Sequence, residues 1–151
     1  IDLVEEIFNL SKKEKCKIYF PEDVLVGKNL NDSSKIKLLN DISHDDLILD
    51  IGPKTVKTIK NIIKKSKTIL WNGPAGYFEN SYFAIGSYEI GKEIAINTEK
   101  EKLYSVIGGG DTIAVLNKIK SFNKYNFVST AGGAFLEYLE GKNLPGIKVL
   151  N

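Results

Sequence analysis

The sequence predicts an α/β fold, a mostly parallel sheet with helices on both faces. Two observations carry that expectation. Short apolar runs of strand length alternate, from one end of the chain to the other, with stretches whose apolar residues recur at helical spacing. Three of the strand-like runs also end in glycine-bearing loops, Asn72–Gly76, Gly108–Thr112 and Ala131–Gly133. Strands of a parallel sheet all point one way, so the loops that follow them collect on a single edge, where ligands bind.

Each element has its own signal. Residues 1–14 place Ile1, Val4, Ile7 and Phe8, with Leu3 and Leu10 nearby, at the spacing of an amphipathic helix. Cys16–Phe20 reads as a strand stopped by Pro21, and residues 27–46, rich in Asn, Asp and Ser, read mostly as loop. Leu47–Ile51 is a short buried strand ended by Gly52-Pro53. Residues 54–65 then set lysines against Val56, Ile59, Ile62 and Ile63, a surface helix with one buried stripe. Thr68–Trp71 is the next strand. Ser81 is placed to cap a helix over 82–96 with Phe83, Ile90 and Ile94 inward, although Gly86 and Gly91 each weaken it by roughly 1 kcal/mol against alanine. Ser105–Ile107 is a strand whose following helix runs to about Ile119. Phe127–Thr130 is the last strand, followed by a helix over Phe135–Glu140 with Gly141 as its stop. There is no internal repeat, low-complexity tract or linker.

Composition narrows the function. A chain of 151 residues with 42% apolar content is enough for one domain with a core. The net charge is +2 and the lysines are scattered, so no nucleic-acid partner is expected. All 21 basic residues are lysine. No run reaches the length of a membrane span and no charged-then-apolar leader opens the chain, so no membrane partner is expected either. Cys16 has no second cysteine to pair with and reads as a packed, reduced thiol. The lone histidine, His44, lies beside Asp45 and Asp46 and reads as a solvated loop residue, which leaves no Cys–His pair. A reducing cytoplasm is the expected setting. The chain starts at Ile1 and lacks methionine, which suggests a fragment or a trimmed product.

The loop Gly108-Gly109-Gly110-Asp111-Thr112 has the makings of a phosphate site. Glycine lets backbone approach an anion, and the first amides of a helix lack intrahelical partners and sit at its positive end. Asp111 adds a hard oxygen ligand for a magnesium ion carried by phosphates. A tight turn alone seldom needs three glycines and then an acid. The loop is not a P-loop, since no Gly-Lys-Ser/Thr follows. It is not the dinucleotide fingerprint either, because Ile113 stands in that motif's glycine or alanine slot. Thr130-Ala131-Gly132-Gly133 offers a second set of amides, suited to a phosphoryl group in transfer or equally to close packing of a helix on its strand. In Asn72–Glu79, Pro74 could wall a base and Glu79 could accept from ribose hydroxyls, or Glu79 is simply solvated. Asp50 reads as a turn acid before Gly52-Pro53. Trp71, Tyr77 and Phe78 read as core.

Four runs together resemble phosphoglycerate kinase, in that family's order. They are Trp71-Asn72-Gly73-Pro74-Ala75-Gly76-Tyr77-Phe78-Glu79, Ile107-Gly108-Gly109-Gly110-Asp111-Thr112, Val128-Ser129-Thr130-Ala131-Gly132-Gly133-Ala134 and Leu139-Glu140-Gly141-Lys142-Asn143-Leu144-Pro145-Gly146. The resemblance covers essentially the whole chain but only the later part of the family's. It implies a three-layer Rossmann-like sandwich, here a partial domain. Residues 1–151 would be the C-terminal nucleotide-binding domain without its first strands, and the N-terminal substrate domain would be absent. It implies a glycolytic phosphotransferase with a carboxyl group as acceptor, moving a phosphoryl group between 1,3-bisphosphoglycerate and Mg-ADP to give 3-phosphoglycerate and ATP. By position, Asp111 looks like the residue that sets the Mg2+, and Gly109, Gly110 and Thr112 look like contacts of the ATP or ADP phosphates. Asn72 is similar to the family's phosphate-side asparagine, Pro74 to a wall of the base pocket, Glu79 to the ribose ligand and Leu49 to the adenine contact. Gly132 and Gly133 match the amides of the moving phosphoryl group.

The resemblance has two departures: Ala131 replaces a third glycine, and Ile48 replaces a glycine before the adenine contact, which narrows that pocket. The family's basic patch for the acyl phosphate lies on the absent domain, and a catalytic lysine lies in the absent first part of this one. The chain is therefore expected to bind nucleotide without turning over. The other reading is a non-catalytic nucleotide-binding or interaction fragment. The full-length enzyme is expected to be a monomer. The missing strands belong between the Lys17–Phe20 strand and the rest, so exposed edges and a partial core are expected, relieved by a partner chain, the missing segment or a rearranged sheet.

Overall fold

Parallel strands must be joined by crossovers and covered by helices, and three runs of the chain satisfy this. In the computed structural model, which describes residues 2–150, the strands found at Thr68–Asn72, Tyr104–Gly108 and Phe127–Val128 form a parallel sheet in sequence order. Asn72 lies opposite Gly108, and Ile107 opposite Val128. Helices at Ile85–Glu99 and Gly110–Lys118 make the two crossovers. All three strand exits leave this sheet on the same edge.

The remaining strands form a second, antiparallel sheet. With every element numbered in chain order, the helices are α1 (Asp2–Lys13), α2 (Pro53–Lys65), α3 (Ile85–Glu99), α4 (Gly110–Lys118), α5 (Gly133–Leu139) and α6 (Pro145–Lys148). The strands are β1 (Asp23–Gly27), β2 (Lys35–Leu38), β3 (Leu47–Ile51), β4 (Thr68–Asn72), β5 (Tyr104–Gly108) and β6 (Phe127–Val128). The second sheet has the order β2–β1–β3 and is antiparallel throughout. The fold is thus α/β, with a parallel three-stranded sheet flanked by helices beside an antiparallel one.

Three expectations are corrected. Cys16–Phe20 is extended but joins no ladder, and Cys16 is exposed rather than packed. The strand forms after Pro21 instead, at β1, whose five residues are all buried between β2 and β3. Pro21 therefore precedes the strand instead of ending it. Within 27–46, Lys35-Ile36-Lys37-Leu38 pairs as β2; its period-two alternation is that of an edge strand, and the surrounding turn residues hide it. The helix expected over 82–96 is a 3-10 turn over Ser81–Phe83, capped by the Asn80 side chain, and then α3 from Ile85.

The main core lies between the parallel sheet and α2, α3 and α4, around Trp71, Ile94, Ile107, Val115 and Leu116. The salt bridge of Lys60 to Glu89, 2.7 Å long, ties α2 to α3 at its margin. A smaller cluster of Leu25, Leu49 and Phe83, with Tyr77 against it, sits under the antiparallel sheet. α1 has the expected amphipathic pattern yet buries no residue. Leu3, Val4, Ile7, Phe8 and Leu10 are open to solvent, with Phe20, itself exposed, stacked on Phe8. Ile1, assigned to the same stripe by the sequence, lies outside the described residues.

Candidate functional site

The β4 and β5 exits meet in one knot of backbone and side chain. Thr112, in the first turn of α4 and fully buried, accepts the Gly73 N–H on its hydroxyl at 2.7 Å. Asn72 reaches the same place: a Cβ on Gly109 would stand 3.1 Å from the Asn72 Oδ1. Gly109 has φ +89°, a region that other residues rarely enter, so the sharp entry into α4 requires glycine there. No side chain caps α4; at its start Gly110 and Asp111 are exposed, whereas Thr112 is buried. Asp111 is exposed in that first turn and has no ion pair among the described residues. Four sequence-selected residues, Asn72, Gly109, Gly110 and Thr112, are thus brought together, with Asp111 beside them.

A cleft of about 390 Å³ opens next to this knot. Leu49 and Pro74, chosen from the sequence as base contacts, both line it, and Gly76, Tyr77 and Pro21 join them. Its wall is continuous with the knot, because Pro74 follows the Gly73 whose amide is held by Thr112. The indole N–H of Trp71 donates to the Gly73 carbonyl at 2.8 Å, and the Tyr77 N–H donates to the Leu49 carbonyl at 2.7 Å. The turn is fixed at both ends. Ile48 is also a wall of the cleft, at the place where the sequence expected narrowing.

Two predicted groups stand further out. Glu79 is exposed, does not line the cleft and makes no hydrogen bond among the described residues. Its neighbour Phe78 is anchored to α4 by Lys118, whose Nζ donates to the Phe78 carbonyl at 3.0 Å. Gly132 and Gly133 are exposed at the entry to α5, with Gly132 at φ +57°. Their link to the knot is Phe135, two residues on, whose ring packs against Gly108. Ala131 has no left-handed φ, so alanine costs no backbone strain at the position of the third glycine.

Asp50 is the group that sequence reasoning misjudged. It is not a turn acid: its side chain is buried under the cleft, 2% exposed, and accepts the Ile51 and Gly86 N–H groups at 2.8 Å each. Burial pushes its carboxyl up to about 6, against the pull of the Gly86 and Ile51 amides. The cues are Gly76 and Gly86, the two glycines that make room for it, and neither is close to it in sequence. No group of three acidic, histidine or cysteine side chains gathers anywhere among the described residues. A lone exposed carboxylate does not make a cage for a resident metal. It does suit Mg2+ that arrives on phosphates and keeps most of its waters.

Known proteins resemble this chain in sequence and in fold. The sequence profile of phosphoglycerate kinase matches residues 1–142. The chain is 46% identical to the phosphoglycerate kinase of Zymomonas mobilis over 151 residues, 99% of this chain and 38% of that protein. It is 45% identical to that of the Wolbachia of Brugia malayi over 150 residues, again 38% of that protein. The phosphoglycerate kinase structure from Coxiella burnetii superposes with a TM-score of 0.90 at 36% identity, over 99% of this chain and 38% of that one. The enzyme from Pyrococcus horikoshii gives 0.79 at 31%, over 36% of its chain. The chain therefore spans little more than a third of these relatives, and it belongs to the phosphoglycerate kinase family, a family of kinases.

Proposed function

We propose that residues 1–151 are the nucleotide half-site of a phosphoglycerate kinase, its C-terminal domain without the first strands. The observation that carries this reading is the continuity of the Leu49–Pro74 cleft with the Asn72–Gly109–Thr112 knot through the Gly73 amide. An apolar slot whose wall is held by a hydrogen bond to the first turn of a helix with no side-chain cap suits a nucleoside diphosphate, base in the slot and phosphates at the helix start. The base lies between Leu49 and Pro74. Asn72 and the amides of Gly109 and Gly110 take the phosphates, with Thr112 holding the turn beneath them, and Glu79 takes the ribose hydroxyls. Asp111 orients the Mg2+ carried by ATP or ADP, an ion that neutralises charge on the phosphate oxygens. The Gly132 and Gly133 amides hold the phosphoryl group as it passes between 1,3-bisphosphoglycerate and ADP, giving 3-phosphoglycerate and ATP.

This half-site does not turn over alone. Transfer between two anions requires fixed positive charge on the equatorial oxygens, and the sequence has no arginine to supply it. The bisphosphoglycerate and 3-phosphoglycerate side belongs to the rest of the enzyme, which acts as a monomer in the cytoplasm. Calorimetry with ADP tests the assignment. Binding is expected to tighten several-fold with Mg2+, and Asp111→Ala is expected to remove that gain while sparing the metal-free affinity. A gain that survives in the variant contradicts the metal role. ATP formation from 1,3-bisphosphoglycerate by this chain alone contradicts the half-site.

A further inference from the structure

Asp50 bonds to no residue assigned to the phosphates, yet it ties strand β3 of the cleft to the first turn of α3 and lies against Gly76 of the 74–77 wall. Its Oδ2 holds the N–H of Gly86, in the first turn of α3, a helix with no side-chain cap of its own. The next residue, Ser87, is fully buried, and its hydroxyl accepts the N–H of Ala75 at 2.9 Å. Ala75 lies in the Pro74–Tyr77 wall. The carboxylate is also wedged between two glycines: a Cβ on Gly76 would come within 2.4 Å of its Oδ1, and one on Gly86 within 2.3 Å. We propose that Asp50 is a positioning residue for the base cleft: by holding the Gly86 N–H it sets the start of α3 where Ser87 can take the Ala75 amide, and so fixes the Pro74–Tyr77 wall against Leu49. The proposal rests on the nucleotide reading of the cleft.

The role belongs to the ionised carboxylate. A neutral carboxyl accepts more weakly and places an O–H on one of the two oxygens, each of which faces an N–H donor. The other titratable groups on the packed elements are engaged elsewhere. Asp23 of β1 is turned to the first turn of α2, where it accepts from the Lys54 and Thr55 amides. On α3, Glu89 is paired with Lys60 and Lys92, Glu93 with Lys60 and Lys64, and Tyr88 packs on the main core. Tyr77 of the wall packs on the Leu25, Leu49 and Phe83 cluster. Among the described residues, Asp50 is the titratable group placed to move the wall in mildly acid solution.

Trp71, the single tryptophan, reads the wall directly, because its indole N–H is bonded to the Gly73 carbonyl. Its emission in the wild-type chain is expected to titrate with a midpoint near 6, and in Asp50→Asn to be flat across that range. ADP affinity of the variant at neutral pH is expected to be about tenfold weaker than wild type (~1.4 kcal/mol), the difference vanishing in acid. Gly76→Ala, which keeps the charge but crowds the carboxylate, is expected to weaken ADP binding similarly. That variant and the wild-type titration decide the matter if Asp50→Asn does not fold. A flat wild-type emission profile, or ADP binding unchanged in a folded variant, overturns the proposal. If Trp71 titrates as expected but ADP does not bind at any pH, the nucleotide reading fails, and with it the proposed role in a base cleft.

Discussion

The Thr112 hydroxyl shows how much of this site rests on single atoms. It is buried in the first turn of α4 and is the hydrogen-bond acceptor for the Gly73 N–H, so it joins the cleft wall to the glycine turn. Thr112→Val keeps the shape and removes the acceptor. The variant is expected to lose about 1–2 kcal/mol of stability in urea unfolding, the cost of stranding a half-buried amide, and to bind ADP more weakly. An unchanged unfolding midpoint and unchanged affinity contradict the junction. Asp50 shows the opposite balance. Its folded pKa lies above the usual carboxylate value, so the folded state holds the proton more tightly, and stability falls as pH rises through the interval between the two. Keeping it ionised costs on the order of 2 kcal/mol at neutral pH after allowance for screening. That is a reason to look for its role in the cleft rather than in the strength of the fold.

Helix ends show which parts of the fold depend on distant partners. α2 begins after Gly52, which has no side chain to cap it, and the cap comes from β1. Asp23 accepts from the Lys54 N–H at 3.0 Å, the Thr55 N–H at 2.9 Å and the Thr55 hydroxyl at 2.8 Å. Burial pushes this carboxyl up, but those donors outweigh it and hold it below the usual range. Asp23→Ala is expected to cost roughly 2 kcal/mol at neutral pH. Because the folded pKa is lowered, the contribution is present above the unfolded value of 3.8 and fades as pH falls through the folded one, so wild type and variant should converge in acid. An equal gap in urea unfolding at pH 7 and well below 3.8 contradicts this. The same dependence explains what was legible in the sequence. α2, β3, β4 and β5 were readable because periodicity and the Gly-Pro and glycine stops are local signals. β1, β2 and the loss of the Cys16–Phe20 strand were not, because a ladder is decided by the partner a strand finds. Asn72, Gly109 and Thr112 could be singled out because they stand in dense local runs of glycine and polar residues, whereas Leu49 was named only through the family resemblance. Asp50 was misjudged, because its glycine neighbours come from α3 and the 73–77 turn.

At the scale of the molecule, the glycine turn sits on one edge of the parallel sheet and the cleft lies between the 74–77 turn and strand β3 of the antiparallel sheet, while apolar side chains lie open elsewhere. The α1 stripe, Phe20, and Phe127 on the edge strand β6 are all exposed. The main core and the small Leu25–Leu49–Phe83 cluster nonetheless hold the cleft and the glycine turn in register without them. No helix among the described residues is long and apolar enough to cross a membrane. The central claim is that a nucleotide joins the Leu49–Pro74 cleft to the Gly109–Thr112 turn. Amide shift mapping of the labelled chain during titration with Mg-ADP tests it most directly. Saturable shifts are expected together at Leu49, at Asn72–Glu79 and at Gly109–Thr112, with α1 and β2 unmoved; shifts centred on another face, or none at millimolar Mg-ADP, would contradict it.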